Sequence, residues 1–195
     1  ELGFASTEAG ATAMNVQGSY PRDHSYVQPC RNNYRQGNLN IRAYVEQMSL
    51  GSDVWTTYVM NDPNRGTISG ESTYGITECA MKRSVTPDGD SLIPKDAFLQ
   101  ETAKNYWLAD AEYESTQNTN DNVYVAKFKS NKFDGKNIAV LWSKSDAEKV
   151  TLNLGKNNVI YSDGYGNEQE LSNNSGRYTL YACDRPVYII GDIDD

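Results

Sequence analysis

The stretch Asn137-Ile-Ala-Val-Leu-Trp142 is the most continuously apolar run in the chain. It is too short for a helix that stands alone, and its β-branched and aromatic residues are typical of a strand covered on both faces. Downstream, Lys149-Val-Thr-Leu-Asn-Leu154 alternates apolar and polar residues, which is the period of a half-buried antiparallel strand. Together the two stretches predict the centre of an antiparallel sheet.

Short segments of strand composition surround this run. Strands are predicted at residues 123–129, 137–142, 149–154, 159–162, 177–181 and 187–190. The segments between them carry Asp134-Gly135, Asp163-Gly164, Gly166-Asn167 and Asn174-Ser-Gly176, which tolerate tight or left-handed turns. Six strands at this spacing predict a small β-sandwich in residues 116–195.

The charge balance is acidic. The 195 residues include 18 Lys and Arg against 26 Asp and Glu, a formal net charge of -8, and no basic stripe is visible. This argues against a nucleic-acid partner and against an anionic membrane. No apolar run approaches the roughly 20 residues of a membrane span. The first residue is Glu1 rather than Met, so we expect a processed, trimmed or truncated end.

Three widely spaced cysteines, Cys30, Cys79 and Cys183, form no CxxC pair, and the chain has one histidine. We therefore expect no metal site and no cofactor. One disulfide, between Cys30 and Cys79 in the same half, would leave one free thiol; three buried thiols are the alternative. The Asn, Tyr, Thr and Ser content and the sequon Asn173-Asn-Ser175 favour an extracellular protein glycosylated at Asn173.

The first 36 residues show no regular period, which suits either a loop over a pocket or the loose end of a chain. A helix is predicted over residues 38–50, with Asn38 as its N-cap and Gly51 at its end. Its apolar face carries residues at i, i+4 and i+7: Ile41, Val45 and Met48.

A strand is predicted at 53–60, followed by a long loop to about residue 92. A second helix should start at Pro94 and end near Asp110. Its apolar stripe is expected to be Leu99, Ala103, Tyr106 and Trp107. The polar residues 115–122 are interpreted as a connector. The order of elements predicts two units of unlike architecture, 1–115 and 116–195, whose strands belong to different sheets.

The first unit resembles, in order, the last part of the barrel in retaining glycoside hydrolases with a (β/α)8 fold. Glu1-Leu-Gly-Phe-Ala-Ser resembles the Thr-Glu-x-Gly end of the seventh strand, where the Glu is the nucleophile. Residues 40–55 resemble the seventh helix and the entry to the eighth strand. Three further segments are similar to β-xylosidase and α-L-iduronidase-like enzymes: Tyr58-Val-Met-Asn-Asp-Pro-Asn64, Glu71-Ser-Thr-Tyr-Gly-Ile76 and Pro94-Lys-Asp-Ala-Phe98.

The second unit resembles the C-terminal β-domain of the same enzymes, through Asp134-Gly-Lys, Val140-Leu-Trp-Ser143 and Arg185-Pro-Val-Tyr-Ile189. The resemblance implies an α+β, mixed fold class: the C-terminal part of a (β/α)8 barrel followed by an antiparallel β-sandwich. A retaining enzyme needs two carboxyl groups about 5–5.5 Å apart. In the family the acid/base Glu follows an Asn on the fourth strand, whereas here the sole Asn-Glu pair, Asn167-Glu168, lies in a sandwich turn. We therefore expect an incomplete active site that a missing segment or a partner chain completes.

The resemblance implies Glu1 as the catalytic nucleophile, with a rim of substrate-binding residues after the eighth strand. The predicted substrate-binding residues are Trp55, Tyr58, Asn61, Asp62, Glu71 and His24. Each has a plainer alternative: an acidic residue at a frayed end for Glu1, core packing for Trp55, turn capping for Asn61 and Asp62, and an exposed loop position for His24.

Two functions follow. The first is the C-terminal part of a secreted retaining glycoside hydrolase, whose partners are a carbohydrate substrate and whatever completes the barrel. The second is a non-catalytic structural or adhesive protein, derived from a glycosidase, that assembles through its sandwich as a homo-oligomer or larger assembly. A carbohydrate-binding module in residues 116–195 is a third, weaker hypothesis.

Overall fold

A computed structural model describes residues 4–9, 33–57, 76–79, 92–118, 122–144, 147–155, 158–172 and 176–193. The first part contains β1 (Phe4–Ala9), α1 (Asn33–Ser49), β2 (Ser52–Thr57), β3 (Thr77–Cys79), β4 (Leu92–Pro94) and α2 (Asp96–Leu108). The second contains β5 (Ala111–Asn118), β6 (Val123–Ser130), β7 (Asn137–Ser143), β8 (Glu148–Asn153), β9 (Val159–Ser162), β10 (Glu168–Leu171), β11 (Arg177–Ala182) and β12 (Val187–Gly191).

The predicted central strand is β7, inside a six-stranded antiparallel sheet of order β10-β9-β12-β7-β6-β5. Its side chains alternate between the two faces: Ile138, Val140 and Trp142 point to one cluster of buried residues, and Ala139 and Leu141 to another. Both faces are covered, which is why the sequence of β7 is apolar without interruption. The strand prediction is confirmed.

One face of this sheet packs against the two-stranded antiparallel sheet β8–β11. The buried residues of this layer include Val150, Leu154 and Tyr178. Two packed antiparallel sheets are the predicted β-sandwich. The turn after β6 also forms as predicted: Asp134 (φ 55°) and Gly135 (φ 74°) are both left-handed, and the Lys136 N–H donates to the Phe133 carbonyl over 3.0 Å.

The opposite face of the sheet packs against the two helices, a third layer that the sequence did not predict. Ile41 and Val45 of α1 and Trp107 of α2 are buried against Phe128 and Tyr188 of the sheet. The Trp107 indole N–H also donates to the Ser162 hydroxyl over 3.0 Å. The helices and the sandwich therefore share one hydrophobic core.

Helix α1 begins five residues before the predicted N-cap. Asn38 therefore lies inside the helix, where it is buried and donates from Nδ2 to Asp184 Oδ2 over 3.0 Å. Arg42, one turn later, donates to the carbonyls of Ser143 and Asp184. The predicted end is confirmed, since Gly51 is left-handed (φ 85°) and its N–H donates to Met48 O over 3.0 Å.

Helix α2 differs from its prediction at its start and in its buried face. Pro94 ends β4, and the N-cap is Lys95, without a side-chain capping bond. Leu99 and Tyr106 of the predicted stripe are 47% and 48% exposed. The buried face instead contains polar residues, and consists of Ala97, Gln100, Glu101, Ala103, Lys104, Trp107 and Leu108. The prediction failed because it counted apolar residues and could not identify charges that are paired in the interior.

Two strands of the sandwich were missed, and so were β3 and β4, which pair where the sequence predicted a loop to about residue 92. Residues 115–118 of the predicted connector form the second half of β5, an edge strand paired with β6, so the connector prediction is wrong there. The proposed boundary between residues 115 and 116 falls inside this strand. The other missed strand is β10, an edge strand with mostly exposed side chains. Backbone pairing holds both edges, and polar side chains leave no periodic signal.

Candidate functional site

The strands β1 and β2 form a parallel pair that is separate from the sandwich sheet. Parallel neighbours need a crossover, and α1 lies between the two strands in the chain. The register pairs Phe4 with Ser52 at one end and Ala9 with Thr57 at the other. The carboxyl ends of both strands therefore lie side by side.

The two faces of β2 differ. Trp55 and Thr57 lie on the helix side: the Trp55 ring makes an edge contact with Tyr44 of α1, with 6.1 Å between ring centroids. Thr57 Oγ1 contacts Glu101 of α2. Val54 and Thr56, which alternate with them, are exposed, Val54 to 50%. Helices therefore cover one face of β2 and leave an apolar residue open on the other.

A polar cluster lies behind the carboxyl end of β2. The Trp55 indole N–H donates to Thr57 Oγ1 over 3.2 Å, and the Thr57 hydroxyl donates to Glu101 Oε1 over 3.4 Å. Glu101 Oε2 forms a buried ion pair with Lys104 Nζ at 2.7 Å. Lys104 Nζ also lies 4.5 Å from the centroid of the Tyr44 ring. The two buried charged groups, Glu101 and Lys104, therefore pair with each other on the same helix.

The cluster changes the acidity of two tyrosines. Burial, reinforced by the negative charge of Glu101, raises the pKa of Tyr44 to about 12. Burial, followed by the charges of Glu101 and Tyr44, also holds the pKa of Tyr188 well above its usual value of 10. Neither phenol is therefore poised to exchange a proton near neutral pH.

Three further observations limit the chemistry. Among the described residues, no group of three or more His, Cys, Asp or Glu side chains is arranged to hold a metal ion. Neither of the two described helices combines the length and the hydropathy needed to cross a bilayer. A cleft of about 320 Å³ lies between α1 and the end of β7, lined in part by Arg42, Glu46, Trp142 and Lys144, and Trp55 does not line it.

Comparison with known proteins places this fold. No protein-family model matches the chain, and no curated protein matches it. Among solved structures, the chain is similar to a family 39 glycoside hydrolase from the gut symbiont Bacteroides cellulosilyticus WH2, with a TM-score of 0.71 and 15% sequence identity. The match covers 98% of this chain and 34% of that protein. The fold is glycoside hydrolase-like. This chain therefore spans about a third of the length of the protein that it matches.

The role of Glu1 as nucleophile stays a prediction. Glu1 lies outside the described residues, and it precedes Phe4, the first residue of β1. In barrel enzymes the catalytic groups lie at the carboxyl ends of the strands, and the carboxyl end of β1 is Ala9. The residue that precedes this end of β1 in the sequence is Glu8.

The sequence contained a signal for Glu8. Thr7-Glu8-Ala9-Gly10 matches the family pattern Thr-Glu-x-Gly at each defined position, whereas Glu1-Leu-Gly3 shows the Glu-x-Gly part of it. The interpretation stopped at the first Glu-x-Gly because no strand boundary was known. The bounds of β1 place its carboxyl end at Ala9, directly after Glu8 in the sequence.

Of the predicted substrate-binding residues, Trp55 is described, and its contact with Tyr44 favours the packing role. The others lie outside the described residues: Tyr58, Asn61, Asp62, Glu71 and His24. Tyr58 follows Thr57, the last residue of β2, directly in the sequence. Cys30 and Asn173 lie outside as well; Cys183 is a free, half-buried thiol.

Proposed function

We propose that this chain is the C-terminal part of a retaining glycoside hydrolase that acts on a glycan or glycoside, as in β-xylosidase and α-L-iduronidase-like enzymes. In this proposal β1, α1 and β2 supply the seventh strand, seventh helix and eighth strand of a (β/α)8 barrel, and α2 its eighth helix. A preceding segment or a partner chain supplies the other six strands.

The observation that carries the proposal is the parallel β1–β2 pair with one covered face. Within the described residues, β1 and β2 pair with each other and with no other strand. The exposed Val54 and the unpaired outer edges are what a barrel would bury when its remaining strands close it. The fold match over 98% of the chain, to about a third of a glycoside hydrolase, supports the same arrangement.

We assign the nucleophile to Glu8. Its carboxylate would attack the anomeric carbon while the leaving oxygen takes a proton from an acid on the completing part, which forms a covalent glycosyl-enzyme. Water would then hydrolyse that ester, with the same acid now acting as base. Residues Tyr58, Asn61, Asp62 and Glu71 follow β2 and would line the substrate at the shared edge.

The test compares two glutamates in the protein with the completed barrel, either as one continuous polypeptide or reconstituted from two chains. Glu8→Gln should lower kcat on an aryl β-xyloside or aryl α-L-iduronide by about a thousandfold or more, because the nucleophile is lost. The matched control, Glu1→Gln, should stay within about twofold of the wild type. Far-UV circular dichroism would check that both variants fold.

Loss of turnover in Glu1→Gln with full activity in Glu8→Gln would overturn the assignment of the nucleophile. A completed protein that turns over no glycoside would instead favour the non-catalytic, adhesive or structural alternative.

A further inference from the structure

The polar cluster behind β2 connects α2 to the last residue of the strand through a series of bonds that meet at Glu101. The indole N–H of Trp55 donates to Thr57, the Thr57 hydroxyl donates to Glu101, and the second oxygen of Glu101 accepts from Lys104. Each of these donors has an acceptor within the cluster, and the last member of the series is the Lys104 ammonium, which pairs with Glu101. Thr57 is therefore held from both sides.

The burial of the ion pair is not explained by stability. The side chains of Glu101 and Lys104 are 6% and 5% exposed, and they are separated by three residues on α2, a spacing that works equally well on a solvated helix face. A buried ion pair must overcome the desolvation of two charges, so it is weak evidence for stabilisation. The pair is better explained by what it holds in place.

What it holds is the carboxyl end of β2. Thr57 pairs with Ala9, the residue after Glu8, beyond an irregularity in the register between Ser6 and Ala9. Because the two strand ends are paired, we expect a shift of Thr57 to displace the end of β1. The Tyr44 ring closes the cluster, between Lys104 Nζ at 4.5 Å and the Trp55 ring at 6.1 Å. Burial, and then the charge of Glu101, raise the pKa of Tyr44 inside this enclosure.

We infer that Glu101, with Lys104, is a positioning residue that fixes Thr57 and through it the neighbouring strand end that carries Glu8. The inference rests on the proposed function, since it deepens the account of that same site. Glu101 touches no substrate in this arrangement; it acts on the geometry of the strand end. A misplacement of about 1 Å at a reacting group can cost on the order of a hundredfold in rate.

The experiment uses the completed protein and two variants of Thr57. Thr57→Val keeps the shape and removes the hydroxyl, so kcat should fall on the order of tenfold to a hundredfold with KM within about twofold. Thr57→Ser keeps the hydroxyl and should restore most of kcat. Glu101→Gln, which leaves Lys104 without its charge partner, should show the same loss of kcat.

A spectroscopic readout follows the bonds directly. In the 195-residue chain, the indole N–H proton of Trp55 should shift in the ¹H–¹⁵N NMR spectrum of Thr57→Val and remain near its wild-type position in Thr57→Ser. The matched control is Thr102→Val, an exposed threonine of α2 whose hydroxyl donates only to Phe98 O at 2.9 Å; it should leave both kcat and the indole signal unchanged.

Wild-type kcat in both Thr57→Val and Glu101→Gln would overturn the inference, as would a loss of kcat that Thr57→Ser fails to restore. If Thr57→Val does not fold, Glu101→Gln decides alone, by the ratio of its effects on kcat and KM. These outcomes differ from failure of the proposed function, in which the wild type itself has no turnover that depends on Glu8.

Discussion

The six-stranded sandwich sheet and the β1–β2 sheet are covered to different degrees. The sandwich sheet is covered on one face by β8–β11 and on the other by α1 and α2, and its central residues Ile138 and Leu141 are fully buried. The β1–β2 sheet has helices on one face and the half-exposed Val54 on the other. The sandwich sheet therefore has buried residues on both faces, while the β1–β2 sheet is covered on one face and partly exposed on the other.

The difference indicates how the region from β1 to α2 is stabilised. Helices α1 and α2 bury Ile41, Val45 and Trp107 against the sandwich rather than against β1 and β2 alone. The sandwich is thus the support on which the strand–helix–strand unit is built. In the proposed enzyme, the β-domain would hold the last quarter of the barrel and so the strand ends of the active site.

The largest expected effect tests whether helices and sheet unfold together. Phe128→Ala removes a fully buried ring from their shared core and should lower the free energy of unfolding by about 3–5 kcal/mol. Because the core is shared, urea unfolding followed by helix circular dichroism and by tryptophan fluorescence should give one transition. The control is Tyr181→Ala, 68% exposed on β11, which should change the free energy by no more than about 0.5 kcal/mol. Two separate transitions in the wild type would show that the helices and the sandwich sheet do not unfold as one unit.

A smaller effect measures the polar bond between α1 and the sandwich. Asn38→Ala removes a buried donor to Asp184 and should cost about 1–3 kcal/mol of unfolding free energy. A double-mutant cycle with Asp184→Ala should give a coupling energy of about 1 kcal/mol. A coupling energy below about 0.3 kcal/mol would mean that the two side chains contribute independently to stability. The hydrogen bond would then not join α1 to the sandwich.

The smallest effect is a pH dependence at the turn that touches α2, where Gly166 lies against Ala103. Burial alone would raise the pKa of Asp163, but hydrogen bonds from the Asn167 side chain and from the Asn167 and Tyr165 N–H groups, with the charge of Arg185, lower it below 3.8. A carboxyl group with a depressed pKa in the folded state stabilises the protein above its unfolded pKa, about 3.9, and loses that contribution as pH falls through the folded value.

Asp163→Asn should therefore lower the urea midpoint at pH 7 and have a smaller effect at pH 3. The exposed Glu112→Gln on β5 provides the control, and should change the midpoint equally at both pH values. An effect of Asp163→Asn that grows as the pH falls would contradict the direction of the shift.

The sandwich was predictable because its signals are local. An uninterrupted apolar strand such as β7 and the turn at Asp134-Gly135 each require only neighbouring residues. The polar buried face of α2 was not predictable, since Glu101 and Lys104 look like surface residues until their burial is known. The carboxyl end of β1 at Ala9 was not predictable either, because the first 36 residues show no regular period.

The most direct measurement traps the covalent intermediate. The completed protein would be incubated with a 2-deoxy-2-fluoro glycosyl fluoride, which forms the glycosyl-enzyme and slows its hydrolysis, and the labelled peptide would be sequenced by mass spectrometry. The account predicts one added sugar on Glu8, in the tryptic peptide that ends at Arg22. A sugar on Glu1, on any other residue, or on none at all under conditions of turnover would contradict it.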